Sequence, residues 1–130
     1  MGCDIVSVHK TLTPDARGLI DGRALSLMPD GGILINTARG PIVDEAALIC
    51  EVKSGRIGAV VDVFSQEPPP RAHPLRHMPG VIATPHCAGT ALYWRRQMAE
   101  MALSDVGRAL GGQAPRGLIT LQKYRSMTPA

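Results

Sequence analysis

Three side chains in this 130-residue sequence stand out by type and place: Arg39, Glu67 and His86. An imidazole titrates near neutral pH and can exchange protons there. A guanidinium is a permanent planar cation whose fork matches carboxylates and phosphates. A carboxylate can hold either one. Each of the three follows a short apolar stretch. Ile33–Asn36 runs into Thr37-Ala38-Arg39-Gly40, residues 59–64 run into Ser65-Gln66-Glu67-Pro68, and residues 81–84 run into Pro85-His86-Cys87-Ala88-Gly89. A further stretch, residues 4–9, runs into Lys10-Thr11. In open α/β sheets ligands bind outside the carboxyl ends of the strands, so groups at corresponding ends can share one site. Taken singly, each has a plainer reading. His86 reads as a surface or core-edge imidazole, Arg39 as a solvated cation or ion-pair partner, and Glu67 as loop surface ahead of prolines. Spacing alone leaves both readings open.

The elements that must position these groups follow from the apolar pattern. Residues 4–9 (D-I-V-S-V-H), Ile33–Asn36 (I-L-I-N), residues 59–64 (A-V-V-D-V-F) and residues 81–84 (V-I-A-T) are short, rich in β-branched residues and bounded by turn formers. They read as strands. Thr13-Pro14-Asp15 resembles a helix start, with Thr as cap and Pro at the first position, and predicts a short helix over residues 16–20. Residues 21–27 form a second short helical piece, closed by Met28-Pro29-Asp30-Gly31-Gly32. Residues 44–53 carry Ala47, Leu48 and Val52 at helical spacing behind Val43, and Ser54-Gly55 ends them. Leu92–Leu110 is the longest predicted helix, with Leu92, Ala99, Ala102, Val106 and Ala109 on one face and Gly111-Gly112 as its stop. Residues 66–74 are proline-rich loop, and residues 119–130 read as a loosely held tail. Short apolar strands alternating with helices predict an α/β fold with a parallel sheet covered on both faces.

Composition bounds the answer. Hydrophobic residues make up 45%, charged residues 19%, and the mean hydropathy is +0.05, as in globular domains rather than disordered or fibrous chains. Aromatics are only 3%, so aliphatic side chains and Met must fill the core. No apolar run approaches the roughly 20 residues of a membrane helix. The opening Met-Gly-Cys-Asp-Ile lacks a charged segment followed by an apolar one, which predicts no secretory signal. Cys3, Cys50 and Cys87 are odd in number and far apart. That speaks against disulfides and zinc, and for reduced thiols in a cytoplasm. The net charge is +3, but the cations are scattered and stacking aromatics scarce, which speaks against nucleic-acid binding.

Local sequence narrows the reading. Asn36-Thr37-Ala38-Arg39-Gly40, Val43-Asp44-Glu45-x-Ala47-Leu48, Asp62-Val63-Phe64-x-x-Glu67-Pro68 and Thr84-Pro85-His86-x-x-Gly89 occur in that order. Together they closely resemble the NAD-dependent D-isomer-specific 2-hydroxyacid dehydrogenases, which include D-3-phosphoglycerate, D-lactate, glycerate and formate dehydrogenases. Cys3 to His9 and Leu12-Thr13-Pro14-x-x-x-Gly18-Leu19-Ile20 are similar to that family too, so the resemblance spans about residues 3–118. It implies the second half of a Rossmann-type doubly wound parallel sheet ending in a long helix, over residues 1–118. It implies catalytic roles for Arg39, Glu67 and His86. His would serve as general base and acid. The carboxylate beside it would hold the ring and favour the imidazolium. Arg would bind the substrate carboxylate and polarise the reacting carbonyl. The resemblance further implies an NAD cofactor, with NADP left open, and a small 2-hydroxy or 2-keto acid as substrate. Asp62 would accept a hydrogen bond from the nicotinamide carboxamide. Lys10, Thr37, Ala38, Arg39, His86, Ala88 and Gly89 would also touch the cofactor. The family is usually dimeric, and it implies no metal, membrane or nucleic acid.

The sequence departs from the family pattern in places. Gly55 to Asp62 is one residue short, and Lys10-Thr11 replaces a small or polar residue followed by Pro. No G-x-G-x-x-G occurs, nor the acidic residue that would hold the ribose. The chain thus resembles the carboxyl-terminal 40% or so of such an enzyme. Three expectations follow: a dehydrogenase half-site, a truncated inactive remnant or a subunit active only with a partner that supplies the glycine-rich loop, and a small binding module. The retained trio argues against the last.

Overall fold

The computed structural model describes residues 3–125. They form two compact units, one running through His86 and one starting at Cys87. In the first unit, β1 (Ile5–Val8), β2 (Ile33–Asn36), β3 (Gly58–Val61) and β4 (Val81–Ala83) make one sheet in chain order, all parallel. The crossovers carry α1 (Gly22–Ser26) and α2 (Glu45–Lys53). Both helices are capped by an aspartate. Asp21 accepts from the Ala24 N–H at 2.8 Å and Asp44 from the Ala47 N–H at 3.0 Å. Parallel pairing and βα alternation bear out the α/β reading.

Alternate strand residues face α1 and α2. Val8, Leu34, Ala59 and Val61 are buried against Leu25, Met28, Leu48 and Val52. Among the described residues of this unit, no helix covers the opposite face, which carries Ile5, Ile33 and Ile82, all exposed. Burial therefore alternates along strands whose sequences are apolar throughout.

Two elements differ from the sequence reading by more than a residue at an end. In place of a helix over residues 16–20 there is a 3-10 turn at Pro14–Ala16. Gly18 then takes a φ of 67°, which breaks the helical course. The chain turns to lie along the segment after β2, where the Ile20 N–H donates to the Ile42 carbonyl at 3.0 Å and the Asp44 N–H to the Ile20 carbonyl at 2.9 Å. The third strand ends at Val61 rather than residue 64, because Asp62 and Phe64 turn to polar partners described below.

Arg56 ties the helices together beneath the sheet. Its Nε donates to Glu51 Oε2 at 2.6 Å, one terminal nitrogen to the Met28 carbonyl at 2.6 Å, and the other to the Leu25 carbonyl at 2.7 Å. The Leu25 carbonyl lies in the last turn of α1, where it also accepts from the Met28 N–H at 3.0 Å, and the Met28 carbonyl lies just past the helix end.

The second unit is built on α3 (Leu92–Leu110), with the bounds that the sequence predicts, and α4 (Leu121–Arg125). Asp105 accepts from the backbone N–H groups of Arg116 and Gly117 at 2.8 and 2.7 Å, folding that segment back along α3. These two donors hold its carboxyl below the ordinary aspartate value. The part of the predicted tail from residue 126 onward lies outside the described residues. Among the described residues no helix is long and apolar enough to cross a membrane.

Arg56→Ala is expected to lower the thermal unfolding midpoint followed by circular dichroism. Arg56→Lys should recover only part of the loss, since an ammonium cannot reproduce a planar fork to three acceptors. Equal midpoints for wild type and Arg56→Ala would show that the tie contributes nothing.

Candidate active site

The site begins with the sheet register. Val8 pairs with Asn36, Asn36 with Val61, and Val61 with Ala83. All four strands therefore stop at one level, and the segments beginning at His9, Thr37, Asp62 and Thr84 leave the same edge side by side.

After β2, Asn36 organises the loop. Its side chain is 2% exposed. Its Oδ1 accepts from the Ala38 N–H at 3.1 Å and its Nδ2 donates to the Arg39 carbonyl at 3.0 Å. Thr37 and Ala38 are half-buried and Arg39 is exposed. The Arg39 guanidinium donates at 2.7 Å to the carbonyl of Ala38. Gly40 follows, buried. A Cβ built there would collide with the carbonyl group of Phe64. Only a residue without a side chain lets the loop after β2 lie against the loop after β3.

After β3, Asp62 is 2% exposed and accepts from the Thr84 hydroxyl, which joins the end of β3 to the end of β4. Five residues on, Glu67 folds back. Its Oε1 accepts from the Phe64 N–H at 2.9 Å, and its Oε2 lies 2.6 Å from His86 Nδ1. His86 arrives from β4 with a φ of 53°, the left-handed region, while its ring stays half exposed. A cavity of about 630 Å³ opens here, lined by Asp62, Glu67, Arg76, Thr84 and His86 among others.

The structure thus brings Asp62, Glu67 and His86 around one cavity. Thr37, Ala38 and Arg39 stand at the neighbouring strand end and Lys10 at the end of β1, exposed; none of these four lines the cavity. Ala88 and Gly89 belong to the second unit. Sequence reasoning gave no role to Asn36, Gly40 or Thr84. The signals were present: a lone amide closing an apolar strand, a glycine behind the arginine, and a hydroxyl at the end of β4.

Chemically, a carboxylate at hydrogen-bond distance from Nδ1 holds an imidazole in one orientation and leaves Nε2 for proton exchange. A buried carboxylate beside the cavity supplies an acceptor for an amide-bearing ligand. These groups stand at the carboxyl edge of a parallel sheet, where open α/β folds bind their ligands.

The sequence model of the D-isomer specific 2-hydroxyacid dehydrogenase NAD binding domain matches residues 1–88. The chain belongs to this family. A glyoxylate reductase of Thermofilum pendens is 44% identical over 117 residues, covering 89% of this chain and 34% of that protein. Among solved structures, a D-isomer specific 2-hydroxyacid dehydrogenase from Xanthobacter autotrophicus Py2, in complex with NADPH and MES, superimposes with a TM-score of 0.78. It is 40% identical and aligns over 95% of this chain and 50% of that one. A D-lactate dehydrogenase with NAD+ from Lactobacillus jensenii gives a TM-score of 0.78 at 31% identity, over 90% of this chain and 39% of that one. The chain spans about a third of the length of the curated relatives it matches. The dehydrogenase family accounts for the Rossmann-type architecture and the parallel sheet.

Gly40→Ala should destabilise the chain by about 3 kcal/mol, because the added methyl meets backbone rather than a side chain that can move aside. The shift is measurable as a lower urea midpoint. A midpoint within error of wild type would show that the two loops are free to separate.

Proposed function

We propose that this chain is the second half of the NAD-binding domain of a D-2-hydroxyacid dehydrogenase, over residues 1–118 with 119–130 as a tail, and that it carries the acid–base machinery for interconverting a 2-hydroxy acid and its 2-keto acid. The observation that carries the reading is the 2.6 Å contact between Glu67 and His86 at the strand edge, in a chain of this family. Glu67 holds Nδ1, so Nε2 of His86 gives a proton to the keto oxygen in reduction and takes it from the hydroxyl in oxidation. Arg39, whose guanidinium has donors beyond the one spent on Ala38, grips the substrate carboxylate. The nicotinamide, when bound, supplies the hydride for reduction and accepts it for oxidation. Asp62 holds its carboxamide, with Lys10, Thr37, Ala38, Ala88 and Gly89 as further contacts. Solved relatives carry NADPH or NAD+, so the cofactor class is NAD(P)(H). A reducing, cytoplasmic setting suits the three cysteines.

A second reading is a subunit that works only when a partner chain supplies a G-x-G-x-x-G loop, or an inactive remnant; residues 1–130 hold no such loop themselves. The chain alone is expected to bind NADH more weakly than micromolar in calorimetry and to reduce a panel of 2-keto acids little or not at all, since the pyrophosphate normally rests on that turn and a helix N-terminus. Micromolar binding would contradict this.

The deciding experiment supplies the amino-terminal half of a relative as a fusion. There, His86→Ala should cost turnover roughly 10²–10⁴-fold with NADH binding nearly intact. Arg39→Ala should raise KM for the keto acid as well as lower kcat. Near-normal turnover in His86→Ala sinks the assignment.

The open sheet face and the edges of β1 and β4 further favour self-association, as in the usually dimeric family. Light scattering should show a mass that rises with concentration; a monomer at every concentration counts against it.

A further inference from the structure

We infer that Glu45 and His73 are positioning residues that set the Glu67–His86 pair. Neither lies in the cavity beside His86. Glu45 opens α2, directly after its aspartate cap. Its Oε2 accepts from the Ser65 N–H at 3.0 Å, and its Oε1 lies 3.0 Å from His73 Nε2. The two side chains are 22% and 13% exposed, so the pair sits within the protein rather than on its surface. His73 also packs edge-on to Phe64, with ring centroids 5.2 Å apart, and Phe64 is buried.

These contacts define a clip. The loop after β3 starts at Phe64-Ser65 and returns at His73, and Glu45 holds both ends. The neighbouring amide belongs to the other glutamate, for Phe64 N–H donates to Glu67 Oε1 at 2.9 Å. Two consecutive peptide groups thus carry two carboxylates, one anchored on α2 and one reaching His86. If the Ser65 N–H shifts, the Phe64 Cα shifts with it, because the two share one rigid peptide plane, and the Phe64 N–H bonded to that Cα is displaced from Glu67. Glu67 then loses the donor that fixes Oε1, and with it the placement of Oε2 on His86 Nδ1. The meaning for catalysis rests on the function proposed above; the geometry does not.

The test reads the His86 ring directly, by long-range 1H–15N spectra of the 15N-labelled chain at a pH where the ring is neutral. Acceptance by Glu67 should give the Nδ1–H tautomer in wild type. Glu67→Ala should return His86 to the tautomer balance of a solvent-exposed ring, which sets the scale. Glu45→Ala is expected to move His86 most of the way to that limit while the amide signals of β1 and β2 stay in place. Glu45→Gln, which keeps an acceptor for the Ser65 N–H, should restore much of the wild-type balance. His73→Ala, which opens the clip but leaves Glu45 on Ser65, should shift the ring in the same direction and by less; it decides the matter if Glu45→Ala fails to fold. An unchanged His86 tautomer in a folded Glu45→Ala or His73→Ala chain overturns the inference, whatever happens to stability. In the fusion described above, Glu45→Ala should lower kcat roughly 10-fold with the KM for NADH unchanged. A fusion that is inactive throughout while the tautomer still follows Glu45 sinks the dehydrogenase reading and leaves the clip standing. An active fusion with an indifferent tautomer does the reverse.

Discussion

The ladder that joins four parallel strands in register is the constraint on which the site depends. Parallel pairing allows no hairpins, so every connection must cross back over the sheet, and every strand delivers its carboxyl end to the same edge. Here Val8, Asn36, Val61 and Ala83 stop at one level. A slip of one residue in β3 would turn Asp62 from its place beside Thr84 and carry Glu67 away from His86. The chemistry is thus set first by backbone hydrogen bonds and only then by side chains.

Above that edge the loops hold each other. Asn36 spends its amide on the backbone of the loop that presents Arg39, and Gly40 presses that loop against Phe64. Buried polar groups are costly unless satisfied, and Asn36 meets the requirement by fixing its neighbours. Glu67 does the same with one oxygen while offering the other to His86. One oxygen of the carboxylate is thus structural and the other faces the histidine, which suits a half-exposed loop that would otherwise be mobile.

The sequence made some of this legible and hid the rest for physical reasons. The four strands and α2 and α3 could be read because apolar runs and caps such as Asp44 are local signals. Arg39, Glu67 and His86 could be singled out because each follows a strand. The turn after Thr13-Pro14 could not be read correctly, because its outcome is decided by pairing between Ile20 and the distant segment at Ile42. The end of β3 was obscured in the same way, since Val63 and Phe64 are apolar and buried yet lie outside the ladder. The need for glycine at position 40 is a contact with residues more than twenty positions away. The meeting of Glu45 with His73 is likewise a product of topology, invisible in spacing.

His86 has a cost of its own. Its φ of 53° lies where a side chain with a Cβ is disfavoured by roughly 1–2 kcal/mol, and Gly or Asn would sit there more easily. A histidine at this place is therefore not the choice that folding alone would make. Selection for stability alone would drift this position toward glycine, so relatives that keep a histidine here hold it against that pull.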